Sequence, residues 1–244
     1  KPSHKLDFNP GHHFEYSPDE RRVEEVNLNT TYTDKTYLRR VLSWDSFAAS
    51  GGPGCVAFPM HVRRNNAFYS TDIFVEQVDE DYLIRNGLDP NGALYKMFHG
   101  EGPSDGAYGN VEKKTRKLEN HDDLAAFLTG VNLSGTALET FFFDNVDVPQ
   151  LINSIAVHNL LADGDYGKKN HYLYRDSEGS GEWAFLPWDK DLTFGMFWDP
   201  NSQPAPLEHD KLTPPTRTIY NVGWNQIVSD IYNTPRLKQM YLRR

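Results

Sequence analysis

Three acids and one amide carry the chemistry that this sequence announces most clearly. Asp165 is followed five positions later by Asn170, and Asp189 two positions later by Asp191. The first pair sits between a helical segment and the strand HYLYRD; the second closes the strand WAFLPWD. The two acidic clusters therefore lie at the two ends of one hairpin, where they can face each other across a metal ion. Phosphoryl transfer asks little covalent chemistry of a protein. It needs an acceptor hydroxyl held near a carboxylate and hard divalent cations on the phosphate oxygens. Magnesium takes oxygen ligands, typically one or two carboxylates, an amide and phosphate.

A D-x-x-x-x-N loop paired across a hairpin with a second acid supplies that set. Protein kinases use the same spacing in their catalytic loop, and their metal-binding Asp also follows a strand. Asp and Asn are equally turn residues, so Asp163-Gly164-Asp165 also reads as a plain turn with Asn170 capping a strand. The Pro-Trp-Asp at the strand end favours the site, because burial of Trp188 holds acids against an apolar wall. A calcium loop starting at Asp163 fails: it places Lys168 where Gly belongs and Tyr174 where a bidentate Glu belongs. Carbohydrate chemistry is a further alternative, with Trp183, Trp188 and Trp198 as stacking faces and Asp189/Asp191 as paired acids. Two acids so close on one strand suit a shared metal better. The histidines fit no metal spacing such as H-E-x-x-H.

The elements that must position these residues follow from periodicity. Asp147 and Pro149 open a helix, QLINSIAVHNLL, with an apolar stripe at Leu151, Ile152, Ile155 and Leu160. Upstream, KPSHKLDFN alternates as a strand, and Val23–Leu28 is a short further strand. Thr33 reads as the N-cap of a helix over DKTYLRRVLSWDSFAAS. CVAFPMHVRRNN and AFYSTDIFVEQV form a hairpin about Asn65-Asn66. DEDYLIRNG is a short helix ending at Gly87, ALYKMF a strand, and 99–122 a polar, Gly-rich loop. Its Gly100-Glu101-Gly102 and Gly106 have the wrong spacing for a phosphate loop. HDDLAAFLTGV and SGTALETFFFDNV are helical, 199–223 is Pro-rich and irregular, and WNQIVSDIYN and PRLKQMYLRR are closing helices, the second capped by Thr234. The pattern is α+β: strands first, then mainly helices, with a boundary near residue 80.

The chain has 244 residues, 38% of them hydrophobic, enough to bury a core. Its net charge of −9 argues against general nucleic-acid binding and weakly favours a basic protein partner. The single Cys55 excludes a disulfide framework and Cys-rich zinc sites. No apolar run approaches the roughly 20 residues of a membrane span, and no secretory signal is read. Asn29-Thr30-Thr31 and Asn132-Leu133-Ser134 fit the glycosylation sequon, a triplet common by chance.

Several ordered blocks resemble the CotH kinase family of spore coat protein H-like atypical kinases: KPSHKLDFN, KTYLRRVLS, DIFVEQVDEDYL with ALYK, NLLADGDYGKKNHYLYRD and FLPWDKDLTFG. The resemblance covers nearly the whole chain. It implies one two-lobed, protein-kinase-like domain over residues 1–244, with a strand-rich N-lobe over about 1–78 and a mainly helical C-lobe over about 79–244. It implies ATP with Mg or Mn, phosphorylation of Ser or Thr in secreted or coat proteins, and a place at the cell or spore surface; a monomer with no membrane span is expected. By position, Asp165 resembles the catalytic-loop acid, Asn170 the metal-binding amide and Asp189 the acid holding metal against phosphate, with Asp191 assisting. Lys1 and Lys5, on one strand face, resemble the phosphate-contacting lysine. Glu76 and Val78 fall in the strand-to-hinge segment expected to meet adenine, and Asp79 where the ribose would lie. Arg39 matches a family position open to a phosphate contact or a buried ion pair. The family's N-terminal strands, with the nucleotide-covering loop, are expected to precede Lys1. A chain lacking them is open to a second reading, as a catalytically silent coat or adhesion protein.

Overall fold

The computed structural model describes residues 2–98, 111–166, 169–196 and 225–244. Lys1, the Gly100–Gly106 segment, Trp198 and the Pro-rich 199–223 lie outside the described residues. Two four-stranded antiparallel sheets organise the rest.

The first sheet contains β1 (His4–Asp7), β2 (Glu25–Asn29), β3 (Ala57–Arg64) and β4 (Ala67–Glu76), in the order β1-β2-β4-β3. Asn65 and Asn66 turn the β3–β4 hairpin with φ of 51° and 63°. Paired left-handed residues match the twist of the flanking strands, and Asn tolerates that conformation. Helix α1 (Arg39–Ala49) lies between this sheet and the second half of the chain. It begins at Arg39, with Leu38 rather than Thr33 at its N-cap. The Asp34 carboxylate accepts from the backbone N–H of Thr36 and Arg39 at 3.0 and 2.9 Å. Those bonds hold 34–38 as a tight loop, with Tyr37 at φ 62°. Side-chain acceptors of this kind compete with the helix ladder.

After α2 (Glu80–Arg85), the second sheet is built from β5 (Ala93–Met97), β6 (Val111–Lys113), β7 (His171–Arg175) and β8 (Trp183–Pro187), in the order β6-β5-β7-β8. The stretch expected to be loop thus contains a strand, since Val111–Lys113 pairs with Tyr95–Met97. Three residues are too few for alternation to show. Helices α3 (Asp122–Gly130), α4 (Gly135–Asn145), α5 (Val148–Leu160), α6 (Gln226–Asn233) and α7 (Pro235–Leu242) complete the described elements. Among the described residues no helix is long and apolar enough to cross a membrane.

Helix α5 carries the candidate site at its C-terminal end. Asp147 caps it by accepting from Gln150 N at 3.0 Å, and Pro149 needs no donor in the first turn. Leu151, Ile152 and Ile155 are buried as expected, but Leu160 is 74% exposed. It lies five residues past Ile155, about 140° round the helix, off the apolar stripe. One apolar cluster joins Trp44, Phe47, Ile73 and Val75 to Val157, Leu161, Tyr172 and Leu186, so the floor of the site shares a core with the first sheet.

Candidate active site

The site forms where two turns meet. The first follows α5: Ala162 takes φ 45°, and Asp163 N–H donates back to His158 O at 3.0 Å. The second follows β8, with Asp189 at φ 51° and Phe194 at φ 56°. Three backbone hydrogen bonds stitch them together: Gly164 N to Leu192 O at 3.0 Å, Phe194 N to Leu161 O at 2.6 Å, and Gly195 N to Ala162 O at 3.2 Å. Antiparallel pairing of His171 with Pro187 brings both ends of the hairpin to the same place. Trp188 N–H then donates to Asn170 O at 2.8 Å, which sets the amide turn directly against the acid turn.

Asp165 and Asn170 are locked to each other. Asn170 Nδ2 donates to Asp165 Oδ2 at 2.7 Å and to its carbonyl at 3.1 Å. Asn170 sits at φ 68°, a left-handed position that Asn tolerates better than most residues. Burial pushes the Asp165 carboxyl up to about 6; Lys169 opposes the shift, and Asp163 and Asp189 add to it. A carboxylate so tuned is ionised at neutral pH yet basic enough to take a hydroxyl proton.

Beneath Asp165 lies a buried ionic frame. Asp163 Oδ2 accepts from Lys190 Nζ at 2.6 Å and lies 2.9 Å from His158 Nδ1, while Asp163 Oδ1 accepts from Asp165 N at 3.0 Å. The Lys190 and Asp163 side chains are 0% and 1% exposed. Burial pushes Asp163 up, but the Lys190 charge and the His158 contact outweigh it and hold the carboxyl at about 2. Burial and the same Lys190 hold the His158 imidazole down at about 4, so it is neutral at pH 7. Its ring stacks on Tyr166 with centroids 4.2 Å apart. Lys190 thus fixes one acid turn on the other, while its neighbours Asp189 and Asp191 face elsewhere.

Both flanking acids meet one cation. Arg40, on α1, brings Nη2 to 3.2 Å from Asp189 Oδ1 and 3.3 Å from Asp191 Oδ2, and its Nη1 donates to Thr30 O at 3.1 Å. Thr33 Oγ1 donates to Asp191 Oδ2 at 2.5 Å. Burial and then the Asp189 charge raise the Asp191 carboxyl above its ordinary range. Trp188 meets the Tyr172 ring edge-on at 5.7 Å, and Lys96 Nζ lies 5.2 Å from the Trp188 centroid, an aromatic floor capped by a cation.

The remaining expected residues are engaged locally. Lys5 Nζ pairs with Glu25 at 2.7 Å and Asp7 at 3.6 Å. Glu76 takes two bonds from Arg85, at 2.7 and 2.5 Å, and one from Val56 N at 3.0 Å. Val78 is buried beside Tyr82. Asp79 caps α2, accepting from Asp81 N and Tyr82 N at 3.0 and 3.2 Å. Arg39 pairs with Asp34 at 3.0 Å. The structure therefore brings Asp165, Asn170, Asp189 and Asp191 into one neighbourhood. It leaves Lys5, Glu76 and Asp79 each held by partners of their own.

Among the described residues no three His, Cys, Asp or Glu side chains converge on one metal position. The donors suit magnesium in kind. They are oxygens only, and Asn170, whose Nδ2 is given to Asp165, carries Oδ1 as an oxygen donor of the same kind. Such an ion needs few protein ligands, with phosphate and water completing its shell. Sequence reasoning missed Asp163, Lys190, His158, Arg40 and Thr33. One signal was present: a lysine between two acids directly after an apolar strand.

Comparison with known proteins places these features in context. The family described as CotH kinase protein matches residues 1–244. Inner spore coat protein H of Bacillus subtilis (strain 168) is 28% identical over 187 residues, covering 72% of this chain and 51% of that protein. The chain thus spans about half the length of that curated relative. Among solved structures, the HipA, HipB and operator DNA complex of the Shewanella oneidensis MR-1 toxin–antitoxin system aligns with all of this chain and 57% of its own, at 11% identity and a TM-score of 0.40.

Proposed function

This chain belongs to the CotH kinase protein family, and from that premise we propose that it is a metal-dependent, ATP-using protein kinase acting on Ser or Thr. The observation that carries the reading is the Asp165–Asn170 lock set against the Asp189 turn. Asp165 is the carboxylate that orients and deprotonates the acceptor hydroxyl. Its bond to Asn170 fixes its direction, and the bond from its own N–H to Asp163 fixes its height in the cleft. Asn170 and Asp189, with Asp191 assisting, are the residues that would hold Mg or Mn, which when bound would neutralise charge on the transferring phosphate. Tyr172 and Trp188 give the cleft an apolar floor that excludes water. In this reading the strand-rich part over about 1–78 acts as the nucleotide lobe, with Lys5 or Lys1 as the phosphate-contacting lysine. The hinge at Glu76–Val78 then meets adenine, and Asp79 meets ribose. The net charge of −9 suits a basic acceptor protein. The name of the Bacillus relative supports a coat protein as acceptor and the spore surface as location.

That name also supports a second reading, a silent coat component that keeps the fold. Arg40 already neutralises the acid pair, as a protein without metal requires. A thermal-shift titration separates the two. ATP with Mn is expected to raise the Tm of the parent, by RT ln(1 + [L]/Kd) in free energy, and not that of Asp189→Asn. The absence of any nucleotide-dependent shift in the parent favours the silent reading.

A further inference from the structure

Arg40 is buried, 8% exposed at its side chain, and binds three acceptors from two distant parts of the chain. Its Nη1 holds Thr30 O beside β2, and its Nη2 is shared between Asp189 and Asp191. Its Nε has no acceptor among the described residues. A buried guanidinium is costly to leave without an anion. A divalent cation that takes Asp189 meets a positive charge already on the same oxygen.

We propose that Arg40 is the resident counter-charge of the Asp189–Asp191 pair and competes with the divalent cation for those carboxylates. Nucleotide phosphates arriving with the metal give the guanidinium a replacement acceptor. Metal and nucleotide thereby load together and metal alone binds weakly. Arg40 is in this sense a positioning residue, acting through Asp189. The inference rests on the assignment of Asp189 as a metal ligand made above.

The test is titration of Mn2+ alone, followed by the EPR signal of the free ion, on the parent, Arg40→Met and Arg40→Gln, then repeated with ADP. Arg40→Met is expected to bind Mn2+ alone at least about tenfold tighter than the parent, because a competing charge is gone. ADP is expected to tighten Mn2+ binding less in the variant than in the parent. Arg40→Gln keeps an amide donor toward Asp191 and carries the same expectation should Arg40→Met fail to fold. The direction is diagnostic, since a damaged site binds metal more weakly. Equal or weaker Mn2+ binding in the folded variants, or none in any of the proteins, overturns the proposal. Tighter Mn2+ binding without phosphate transfer by the parent leaves this inference standing and removes the kinase reading. Phosphate transfer with unchanged Mn2+ affinity does the reverse.

Discussion

Two ion pairs stand on either side of one peptide turn, and they are built to different ends. Asp163–Lys190 is sealed, with side chains 1% and 0% exposed. Asp189–Arg40 is open, with Asp189 35% exposed. The sealed acid spends one oxygen on Lys190 and His158 and the other on the backbone of Asp165, so it has little left to offer a ligand. The open acid accepts from Arg40 at 3.2 Å and sits at φ 51°. Strain of this kind persists where surrounding structure imposes it, and it concentrates at working sites. The sealed pair is a frame whose value is position; in the proposed reading the open pair keeps a carboxylate ready for exchange. Because Lys190 lies between Asp189 and Asp191, the frame holds the proposed metal-binding acids directly.

The largest effect expected is on the frame. Lys190→Met leaves Asp163 charged and buried, which costs about 3–5 kcal/mol when one partner of a buried pair is removed. Urea melts of Lys190→Met should show that loss, and a double variant with Asp163→Asn should recover much of it. A loss below about 1 kcal/mol would show that the pair is not sealed.

The next effect is pH-dependent. His158 is held at about 4, below the ordinary 6.5, by burial and by Lys190. Its unfolded form takes up a proton first, so the stability it contributes is whole above pH 6.5 and is lost as pH falls toward 4. The loss is on the order of 3 kcal/mol across that window. Asp163, held at about 2, extends the acid weakness below pH 4. His158→Gln should flatten the urea midpoint between pH 7 and 4.5 relative to the parent; superimposable curves would contradict a neutral buried imidazole.

A smaller effect of opposite sign belongs to Asp79, outside both pairs. Burial pushes its carboxyl up to about 7, against the backbone bond from Tyr82. Here the folded protein keeps the proton longer, so stability declines as pH rises from about 4 through 7. Asp79→Asn keeps the cap and should gain about 1–2 kcal/mol over the parent at pH 8, with little difference at pH 4. The smallest effect is expected at the open acid. Asp189→Asn should change stability by under about 1 kcal/mol, because Asn suits a positive φ and Arg40 keeps Asp191. A loss near that of Lys190→Met would erase the distinction between frame and working pair.

The juxtaposition of the proposed site residues was legible in sequence because its signals are local. D-x-x-x-x-N falls between an amphipathic helix and a strand, and the next strand ends in Pro-Trp-Asp. Hairpin pairing then brings both ends together without further information. The frame was illegible because its partners are far apart: Lys190 and Asp163 are separated by 27 positions and Arg40 and Asp189 by 149. A lone lysine or arginine does not name its acid. The late start of α1 depended on Asp34 capturing the N–H of Arg39, a choice that helical spacing through Tyr37 and Leu38 conceals. The second sheet was hidden in pieces, because β5 and β7 lie far apart in sequence and meet only through pairs such as Met97–His171 and Tyr95–Leu173.

The central claim is that Asp165, Asn170 and Asp189 transfer phosphate. Incorporation of label from γ-labelled ATP, with Mg or Mn, into a basic Ser-rich acceptor tests it directly. The parent should label the acceptor, and Asp165→Asn and Asp189→Asn should each lose at least about 100-fold while melting near the parent. Labelling by both variants at the parent's rate would contradict the account.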